Sequence, residues 1–336
     1  MQQYSELRAS KRVDLAAAAP LAAPFAVFIE PTNVCNFKCV MCPESFSDYS
    51  KLAGYYQRMP MELYRKVLSD LGEIGPVKSL KFYFEGEPLA NPDLESMIRM
   101  AKNAGVADRI ELTTNLSLLN AERAAKLVAS GVDYIRISIY SMDPISHRRL
   151  TGSKFVPDDI TSRARLLRDA RDRIGSPTPI LYAEYLHESP EGESRFRHAY
   201  AGVVDEIGVD YRHNWNGADA RSNELVQIGY APDNKGAEWT FRHKKQACPQ
   251  LFYTMAVKAN GDVSPCCVDW QGTLNIGNVM HQSIRDIWTG AALRNLQRLH
   301  ISKRRDELPG CRDCTFVYKF PDNLDRLTSA EFEARL

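Results

Sequence analysis

Three cysteines within eight residues form the densest group of reactive side chains in the sequence. Cys35, Cys39 and Cys42 have the spacing C-x3-C-x2-C and follow an apolar run over residues 25–29. Thiolates are soft ligands, and iron–sulfur clusters ordinarily take four of them. Three thiolates would leave one iron of a [4Fe–4S] cube open to bind a small molecule and pass it an electron. An incomplete zinc knuckle is the alternative, although the x3 spacing is unusual for zinc.

This triplet resembles the defining motif of the radical S-adenosylmethionine (SAM) enzymes. The resemblance implies that the three cysteines hold a [4Fe–4S] cluster and that SAM chelates its open iron. Reductive cleavage of SAM would then release a 5′-deoxyadenosyl radical that abstracts a hydrogen atom from the substrate. It also implies an external one-electron reductant such as flavodoxin or ferredoxin as a partner. The protein's own task in such chemistry is mainly positioning and exclusion of side reactions.

A second motif, Glu85-Gly86-Glu87-Pro88, resembles the Gly-Gly-Glu-Pro motif of the same family. In the family this loop hydrogen-bonds the amino group of SAM, so these four residues are candidate cofactor-binding residues and Glu87 is the one carried over. Glu85 replaces the first glycine of the family motif, and glycine tolerates dihedrals that glutamate does not. A plain turn after a strand is the alternative interpretation.

Further candidate contacts to SAM lie near the ends of predicted strands. Thr114 and Asn115 close the third predicted strand, and Ser138 lies near the end of the fourth. In relatives, such strand ends contact the methionyl and ribose parts of SAM, so Asn115 and Ser138 are candidate cofactor-binding residues. Met41, directly before the last cysteine of the triplet, is a further candidate. Small polar residues at strand ends are also common without any ligand.

The C-terminal third of the sequence contains a second group of cysteines. Asn260-Gly261-Asp262 is typical of a β-hairpin turn, and a helix capped by Ser283 is predicted over residues 283–299. Four thiolates from a hairpin and a C-x2-C pair make a closed site, which suits structural zinc as well as iron–sulfur. The four cysteines are Cys248, Cys266, Cys311 and Cys314.

The spacing C-x12-G-x4-C followed by a distant C-x2-C resembles the SPASM domain, the auxiliary-cluster domain of radical SAM enzymes, and its shortened twitch form. The sequence lacks the additional C-x5-C-x3-C run of the full form. The resemblance therefore implies a twitch-type domain with one auxiliary [4Fe–4S] cluster held by these four cysteines. Together the two motif regions cover roughly residues 25–320.

Cys267, directly beside Cys266, is the cysteine left over and a candidate catalytic residue. Because S–H bonds are weak, a thiol facing a substrate radical could return a hydrogen atom and invert the carbon. Without such a donor, the auxiliary cluster could accept an electron and a ketone would form. Neighbouring residues on a strand point to opposite faces, which argues against the donor role. Simple packing, or replacement of Cys266 as ligand, is the alternative.

Predicted strands alternate with predicted helices through the first two thirds of the chain. Six alternations imply a parallel sheet with right-handed crossovers. Periodicity does not separate an open doubly wound sheet from a barrel, but the family resemblance implies a partial (β/α)6 barrel with chemistry at the carboxyl ends of the strands. The predicted strands are 25–30, 79–84, 109–113, 134–139, 180–186 and 209–213, and the predicted helices are 61–71, 92–104, 121–130, 158–174 and 194–207.

Candidate substrate-contacting residues follow the fifth and sixth predicted strands. Glu184 and Tyr185 on the fifth strand are candidate catalytic residues, whereas His187 fits a surface or core role better than a ligand. The segment after the sixth strand is dense in hydrogen-bonding side chains around one aromatic ring, which suits a polyhydroxylated or amino-sugar ligand. The alternative is a solvated linker to the next domain, which would have the same polar composition. The candidate substrate-binding residues in this segment are His213, Asn214, Trp215 and Arg221.

Composition limits the classes of function. With 44% hydrophobic residues, 25% charged residues and a net charge of +1, the 336-residue chain has the composition of an ordinary soluble protein. We therefore expect no nucleic-acid or membrane partner, and free thiolates predict a reducing, cytoplasmic location. Basic residues before an apolar stretch loosely imitate a secretory signal, but Pro20 and Pro24 would break it as a helix.

We expect five segments along the chain. They are a mobile lead-in over 1–24, the radical SAM barrel over 25–217, a linker over 218–247, the β-hairpin-plus-helix auxiliary-cluster domain over 248–320, and a tail over 321–336.

The combined pattern predicts a radical SAM oxidoreductase (dehydrogenase) or epimerase. Its expected substrate is a carbohydrate-like small molecule, such as a sugar-like or aminocyclitol intermediate of antibiotic biosynthesis, and the expected reaction is alcohol oxidation or epimerisation. A maturase for a ribosomally made precursor peptide is the alternative. Such enzymes often carry a leader-binding module, and only 24 residues precede the first predicted strand. A non-catalytic iron–sulfur or zinc scaffold is the third hypothesis.

Anaerobic reconstitution should give about eight irons and eight sulfides per chain, because two cubane clusters are expected. Changing Cys35, Cys39 and Cys42 together to Ala should halve the iron content and abolish formation of 5′-deoxyadenosine from SAM. Metal analysis and chromatography measure both. A triple variant that retained one tightly bound zinc and no iron would identify the C-terminal site as structural zinc.

Overall fold

Nine strands form one sheet in the computed structural model, which describes residues 13–211 and 245–336. The strands are β1 Ala26–Ile29, β2 Ser79–Phe82, β3 Ile110–Thr114, β4 Tyr134–Ile139, β5 Ile180–Leu186, β6 Glu206–Asp210, β7 Thr254–Val257, β8 Asp262–Ser264 and β9 Gly277–Asn278. Their spatial order is β6-β5-β4-β3-β2-β1-β7-β8-β9. The first seven strands in this order pair in parallel, and β8 and β9 add antiparallel pairs.

This arrangement confirms the predicted α/β class and its mainly parallel sheet. The sheet is open, because no pairing between its end strands β6 and β9 is present among the described residues. Parallel strands require crossover connections, and helices supply them here. The helices are α1 Leu15–Ala18, α2 Tyr49–Ala53, α3 Met61–Ile74, α4 Leu94–Ala104, α5 Ala121–Ala129, α6 Pro144–Thr151, α7 Pro157–Arg173, α8 Pro190–Tyr200, α9 Gln250–Tyr253, α10 Ile284–Thr289, α11 Ala291–Ile301 and α12 Ser329–Glu333.

Alternate residues of each strand face different environments. On β4, Ile135 and Ile137 are buried in the core between sheet and helices, whereas Arg136 and Ser138 lie on the opposite face and are only partly buried. We call the space on this second face, enclosed by the curve of the sheet, the lumen. Successive side chains alternate in this way along a strand, so the sequence of each strand separates core residues from candidate site residues.

Two predicted helices have different bounds in the structure. The helix predicted over 194–207 spans Pro190–Tyr200, because Ser189 caps its start and Pro190 is its first residue. The sixth strand is therefore Glu206–Asp210, rather than residues 209–213. The helix predicted over 283–299 is two helices, α10 and α11, because Gly290 between them has extended backbone angles.

The prediction of a mobile lead-in is wrong for residues 15–21. Leu15, Ala19 and Leu21 are buried in the main core. The indole Nε1 of Trp288 donates a hydrogen bond of 2.9 Å to the carbonyl oxygen of Leu21, and Arg335 donates one of 2.8 Å to the carbonyl oxygen of Ala16. Apolar residues that pack against the C-terminal helices are held in place even though they precede the first strand.

Strand β1 lies between the two predicted domains in the sheet. It pairs with β2 on one side and with β7 on the other, both in parallel. The hairpin of the auxiliary-cluster region, β7 and β8, therefore extends the sheet of the barrel rather than starting a separate one. None of the helices in the described residues is long and apolar enough to cross a membrane.

Replacing Trp288 by Ala should lower the free energy of unfolding by about 3–5 kcal/mol, because the fully buried ring would leave a cavity. Trp288→Phe is the matched control: it keeps most of the packing and loses the hydrogen bond to Leu21, which should cost about 1–2 kcal/mol. Denaturant unfolding followed by circular dichroism measures both values. Equal losses in the two variants would contradict the cavity argument.

Candidate active site and cluster-binding loops

The loop that carries the cysteine triplet is fixed by the segment after α6. The backbone N–H groups of Lys38 and Val40 donate hydrogen bonds of 2.8 Å to the carbonyl oxygens of Thr151 and Leu150. Phe37 is 2% exposed, and its ring packs against His147 at a centroid distance of 6.1 Å. Residues on both sides of Cys39 are therefore held by the rest of the barrel.

The three thiols of this loop lie close to one another. Burial raises the pKa of Cys39 to about 12 and raises the pKa values of Cys35 and Cys42 as well, and the neighbouring thiols add to the rise for Cys35 and Cys42. This mutual repulsion acts only because the sulfurs converge. Metal binding would replace the protons of these thiols by a cation. Three converging soft donors fit one corner each of an iron–sulfur cube.

Gly86 of the second motif packs directly against the chain leading to the cluster-binding loop. Its φ is +71°, and a Cβ atom there would lie 2.8 Å from the Cα atom of Asn33. The next residue, Glu87, donates its backbone N–H to the carbonyl oxygen of Val34 at 3.0 Å. Only glycine combines this backbone conformation with such a close approach.

The carboxylate of Glu87 ties this loop to the end of β3. It accepts hydrogen bonds from the Thr114 hydroxyl at 2.5 Å, from the Asn115 backbone at 2.7 Å and from the Leu89 backbone at 3.0 Å. Pro88 begins the short 3-10 turn Pro88–Ala90 that follows. Most of the accepting capacity of Glu87 is used inside the protein, and its contact with the amino group of SAM stays a prediction.

Asn115 is hydrogen-bonded to the cluster-binding loop itself. Its amide donates to Asn36 Oδ1 at 3.1 Å, and Asn36 in turn donates to the hydroxyl of Ser117 at 2.8 Å. Met41 lies half-buried in the loop, and Ser138 pairs with Glu184 across the lumen face of the sheet. The predicted contacts of Asn115, Ser138 and Met41 with SAM stay predictions.

Glu85 is buried where the barrel meets the auxiliary hairpin. Burial raises the pKa of Glu85 well above its usual range, and the negative charges of Glu30 and Glu44 add to the rise. Its backbone N–H points toward Glu30 Oε1 at 3.4 Å. The glutamate that replaces the family glycine is therefore accommodated in the domain interface, where burial disfavours its charged form.

Tyr140, which we did not select from the sequence, contacts the cluster-binding loop. Its hydroxyl is hydrogen-bonded to the Cys39 side chain, and burial together with the nearby cysteines raises the pKa of Tyr140 well above its usual range. The phenol is therefore protonated and acts as a donor to sulfur. Tyr140 directly follows β4, so the rule that strand ends carry site residues would have found it.

Charged and aromatic side chains line the lumen. Arg136 forms an ion pair of 3.1 Å with Glu184, and the hydroxyl of Tyr182 donates to the same carboxylate at 3.2 Å. The guanidinium group of Arg136 also lies 5.2 Å from the ring of Tyr83. The structure thus brings the predicted residue Glu184 into the lumen, in a pair with a cation.

Tyr185 lies on the wrong face for the catalytic role that we predicted. Its ring is fully buried and stacks on Phe196 of α8 at a centroid distance of 5.2 Å. The alternation along β5 explains the difference, since Glu184 faces the lumen and Tyr185 must then face the helices. The ring of His187 packs against the ring of Tyr211. The candidates His213, Asn214, Trp215 and Arg221 lie outside the described residues.

Four thiols converge in the C-terminal region. Burial raises the pKa of Cys248 to about 12, and the charges of Cys314 and Cys267 contribute. After burial, Cys267 and then Cys248 raise the pKa of Cys266, and Cys248 raises that of Cys311. Arg305, which we did not select from the sequence, donates from Nη1 to the carbonyl oxygens of Cys311 at 2.8 Å and Cys314 at 3.2 Å.

His300 holds the first cysteine of this group. Its Nδ1 accepts a hydrogen bond of 3.0 Å from the backbone N–H of Cys248, and burial lowers the pKa of His300 to about 3. The imidazole is therefore neutral and fixes the backbone beside a ligand. His300 lies in helix α11, and nothing in the sequence pattern of that helix predicted its contact with Cys248.

Cys266 and Cys267 pack in different clusters, although the Cys267 thiol lies close enough to raise the pKa of Cys266. Cys266 packs with Cys311 and Leu274 in a small cluster of the C-terminal region. Cys267 packs instead against Phe28, Tyr83 and their neighbours on the lumen face. Burial raises the pKa of Cys267 to about 12, although the positive charges of Lys81 and Arg136 oppose this. Both cysteines lie after the end of β8 rather than on a strand, so the argument from strand alternation does not apply to them.

The comparisons with known proteins agree with this geometry. Residues 29–186 match the radical SAM superfamily model, and residues 248–315 match the SPASM iron–sulfur cluster-binding domain. A PqqA peptide cyclase from Streptomyces rochei is 30% identical over 304 residues, which cover 82% of this chain and 78% of the relative. The chain belongs to the radical SAM superfamily.

Two solved radical SAM structures share the fold. BtrN, crystallised with AdoMet and 2-DOIA, has a TM-score of 0.55 at 16% identity and covers 91% of this chain and 95% of its own. Streptococcus suis SuiB, bound to its precursor peptide SuiA, has a TM-score of 0.63 at 18% identity and covers 90% of this chain and 72% of its own.

The radical SAM enzyme binds SAM and a [4Fe–4S] cluster, and its SPASM domain binds auxiliary iron–sulfur. The residues suit these groups in kind and number, because three thiols in one loop and four in the C-terminal region influence one another's pKa values. Among the described residues, no three His, Cys, Asp or Glu side chains are placed to hold a single metal ion. Eight cysteines in the whole sequence leave only Cys267 beyond these seven. One thiol does not suffice for a further cluster.

Tyr140→Phe should leave the iron content unchanged and make the reduction potential of the SAM-binding cluster more negative, because a hydrogen bond to sulfur stabilises the reduced state. We expect SAM cleavage to slow by roughly tenfold, as is typical for outer-shell partners of metal ligands. A redox titration followed by electron paramagnetic resonance measures the potential.

Tyr64→Phe is the matched control, since Tyr64 loses a buried hydroxyl whose partner is the carbonyl oxygen of Met97. This variant should keep the potential of the parent protein. An equal shift in both variants would mean that Tyr140 acts through general stability rather than through its bond to Cys39.

Proposed function

We propose that this radical SAM enzyme epimerises a carbon of a small polyhydroxylated or amino-sugar molecule bound in the lumen. The single observation behind this proposal is the packing of Cys267 against the cluster around Phe28 on the lumen face. Bound SAM supplies the radical that removes a hydrogen atom from the substrate carbon. Cys267 then gives its sulfhydryl hydrogen to the opposite face of that carbon.

Each turnover requires that the thiol of Cys267 be regenerated. Donation of a hydrogen atom forms a C–H bond, breaks the S–H bond and leaves a thiyl radical on Cys267. One electron from the external reductant and one proton regenerate the thiol. Lys81 and Arg136 raise the positive potential around this sulfur, which favours the arrival of an electron.

The lumen has the chemistry that a polar ligand of this kind requires. Ion pairs such as Lys81–Glu111 at 2.5 Å and Arg136–Glu184 at 3.1 Å offer donors and acceptors side by side. The aromatic ring of Tyr83 adds an apolar surface for the carbon skeleton. Small-molecule sites combine apolar walls with a few directed polar groups in this way. The likeness to BtrN, crystallised with 2-DOIA, supports the same substrate class.

Modification of a peptide is the second candidate function. It is favoured by the 30% identity to a PqqA peptide cyclase over most of both chains, and SuiB has been solved with a precursor peptide. In this case the open edge of the lumen would admit a peptide segment. The residues around Cys267 would then contact a radical on a peptide rather than one on a sugar-like molecule.

Two adjacent variants test the proposal. Cys267→Ala should retain about eight irons and still form 5′-deoxyadenosine, whereas Cys266→Ala should lose about four irons, because Cys266 packs with the proposed ligand Cys311. With an aminocyclitol or aminoglycoside substrate in deuterated water, the parent enzyme should place solvent deuterium at the inverted carbon. Cys267→Ala should give no epimer.

Three other outcomes would contradict the proposed epimerisation. A ketone product formed at the same rate by the parent and by Cys267→Ala would replace epimerisation by alcohol oxidation. Turnover of a precursor peptide, with none of the aminocyclitols accepted, would favour the peptide-modifying function. Absence of 5′-deoxyadenosine with every substrate would contradict catalysis of either kind.

A further inference from the structure

Helix α6 connects the protein surface to the cluster-binding loop. Its last residues, Leu150 and Thr151, are buried and accept the backbone hydrogen bonds of Val40 and Lys38, each at 2.8 Å. Gly152, which ends the helix, packs on Lys38, since a Cβ on Gly152 would lie 3.4 Å from Lys38 Cβ. The helix is therefore in direct contact with the residue that precedes Cys39.

The outer face of α6 combines one apolar and two basic residues. Ile145 is 80% exposed, and Arg148 and Arg149 are exposed three and four residues further on. Residues at this spacing share one face of a helix. Lys154, also exposed, follows within one turn of the helix end. A large apolar side chain surrounded by cations is thus presented to solvent beside the cluster-binding loop.

The charges of this surface are only partly neutralised. Lys38 pairs with Glu44 at 2.5 Å, and Arg149 lies 3.6 Å from Glu188. Arg148 and Lys154 have no ion-pair partner among the described residues. Asp158, exposed at the start of α7, is a nearby carboxylate. Asp143, which caps the start of α6 by accepting the Ser146 N–H, is another carboxylate, so the positive character of this surface rests on Arg148 and Lys154.

A short path leads from this surface to the ligand Cys39. On the buried side of α6, the ring of His147 lies 6.5 Å from that of Tyr140, and the Tyr140 hydroxyl is hydrogen-bonded to the Cys39 side chain. The backbone bond from Lys38 to Thr151 offers a second connection. A redox protein seated on the outer face of α6 would be separated from the thiol by one helix.

We propose that Ile145, Arg148, Arg149, Lys154 and Lys38 form the docking surface for an acidic flavodoxin. A flavin whose apolar edge is exposed and ringed by carboxylates matches an isoleucine ringed by cations, and opposite potentials steer such encounters. The flavin hydroquinone gives up one electron and becomes the semiquinone, and the oxidised cluster receives that electron. This inference rests on the family and not on the identity of the substrate.

The test compares two charge reversals of equal size. Arg148→Glu/Lys154→Glu changes the docking surface, and Arg65→Glu/Arg99→Glu changes exposed residues of α3 and α4. Binding of flavodoxin to the reconstituted holoenzyme is measured at low and high salt. We expect the dissociation constant to rise at least about tenfold in the first variant and to stay within about twofold in the second, with the difference shrinking as salt screens the charges.

Electron delivery is measured separately from binding. All variants should form 5′-deoxyadenosine at the parent rate with dithionite, and only Arg148→Glu/Lys154→Glu should be slow with reduced flavodoxin. Ile145→Asp, a single change at the centre of the surface, should reproduce the defect if the double variant loses iron.

Flavodoxin affinity equal to that of the control variant would overturn the proposal, as would an equal loss with dithionite. A defect seen with an acidic ferredoxin but not with flavodoxin would overturn the choice of donor.

Discussion

One buried carboxylate connects the three loops on which the site depends. Glu30, at the carboxyl end of β1, is fully buried and accepts hydrogen bonds from the Tyr55 hydroxyl at 2.6 Å and from the Ala259 backbone at 2.8 Å. The backbone N–H of Glu85 approaches it at 3.4 Å. Burial raises the pKa of Glu30, and a buried acid is tolerated only when its oxygens are satisfied. Barrel, second motif and auxiliary hairpin are thereby held at fixed distances.

This connection explains why the two cluster regions can serve one lumen. Strand β1 leads into the cysteine triplet, and its partner β7 leads through a short hairpin to Cys266 and Cys267. Because both strands belong to one sheet, the residue after an auxiliary ligand can face the barrel. Cys266 then packs with the auxiliary cysteine Cys311, and Cys267 packs on the lumen face.

Several buried polar groups of the site are held by specific partners. Glu87 is satisfied by groups at the end of β3, and Lys81 in the lumen pairs with Glu111. Removing one partner of such a pair leaves an uncompensated buried group, which is costly. The rigidity that radical chemistry requires is consistent with this density of paired polar groups.

The sequence by itself determined the features that depend on near neighbours. Three cysteines within eight residues, the Gly86 motif and the alternation of strands with helices are local, and they predicted the family, the cofactors and the α/β class with a parallel sheet, but not that the sheet is open. The tertiary structure decided which faces and distant residues meet. It turned Tyr185 toward the helices, packed Leu15 and Leu21 into the core, and brought Tyr140 to Cys39. Contacts between residues about a hundred positions apart follow from strand register and helix packing, which no local spacing encodes.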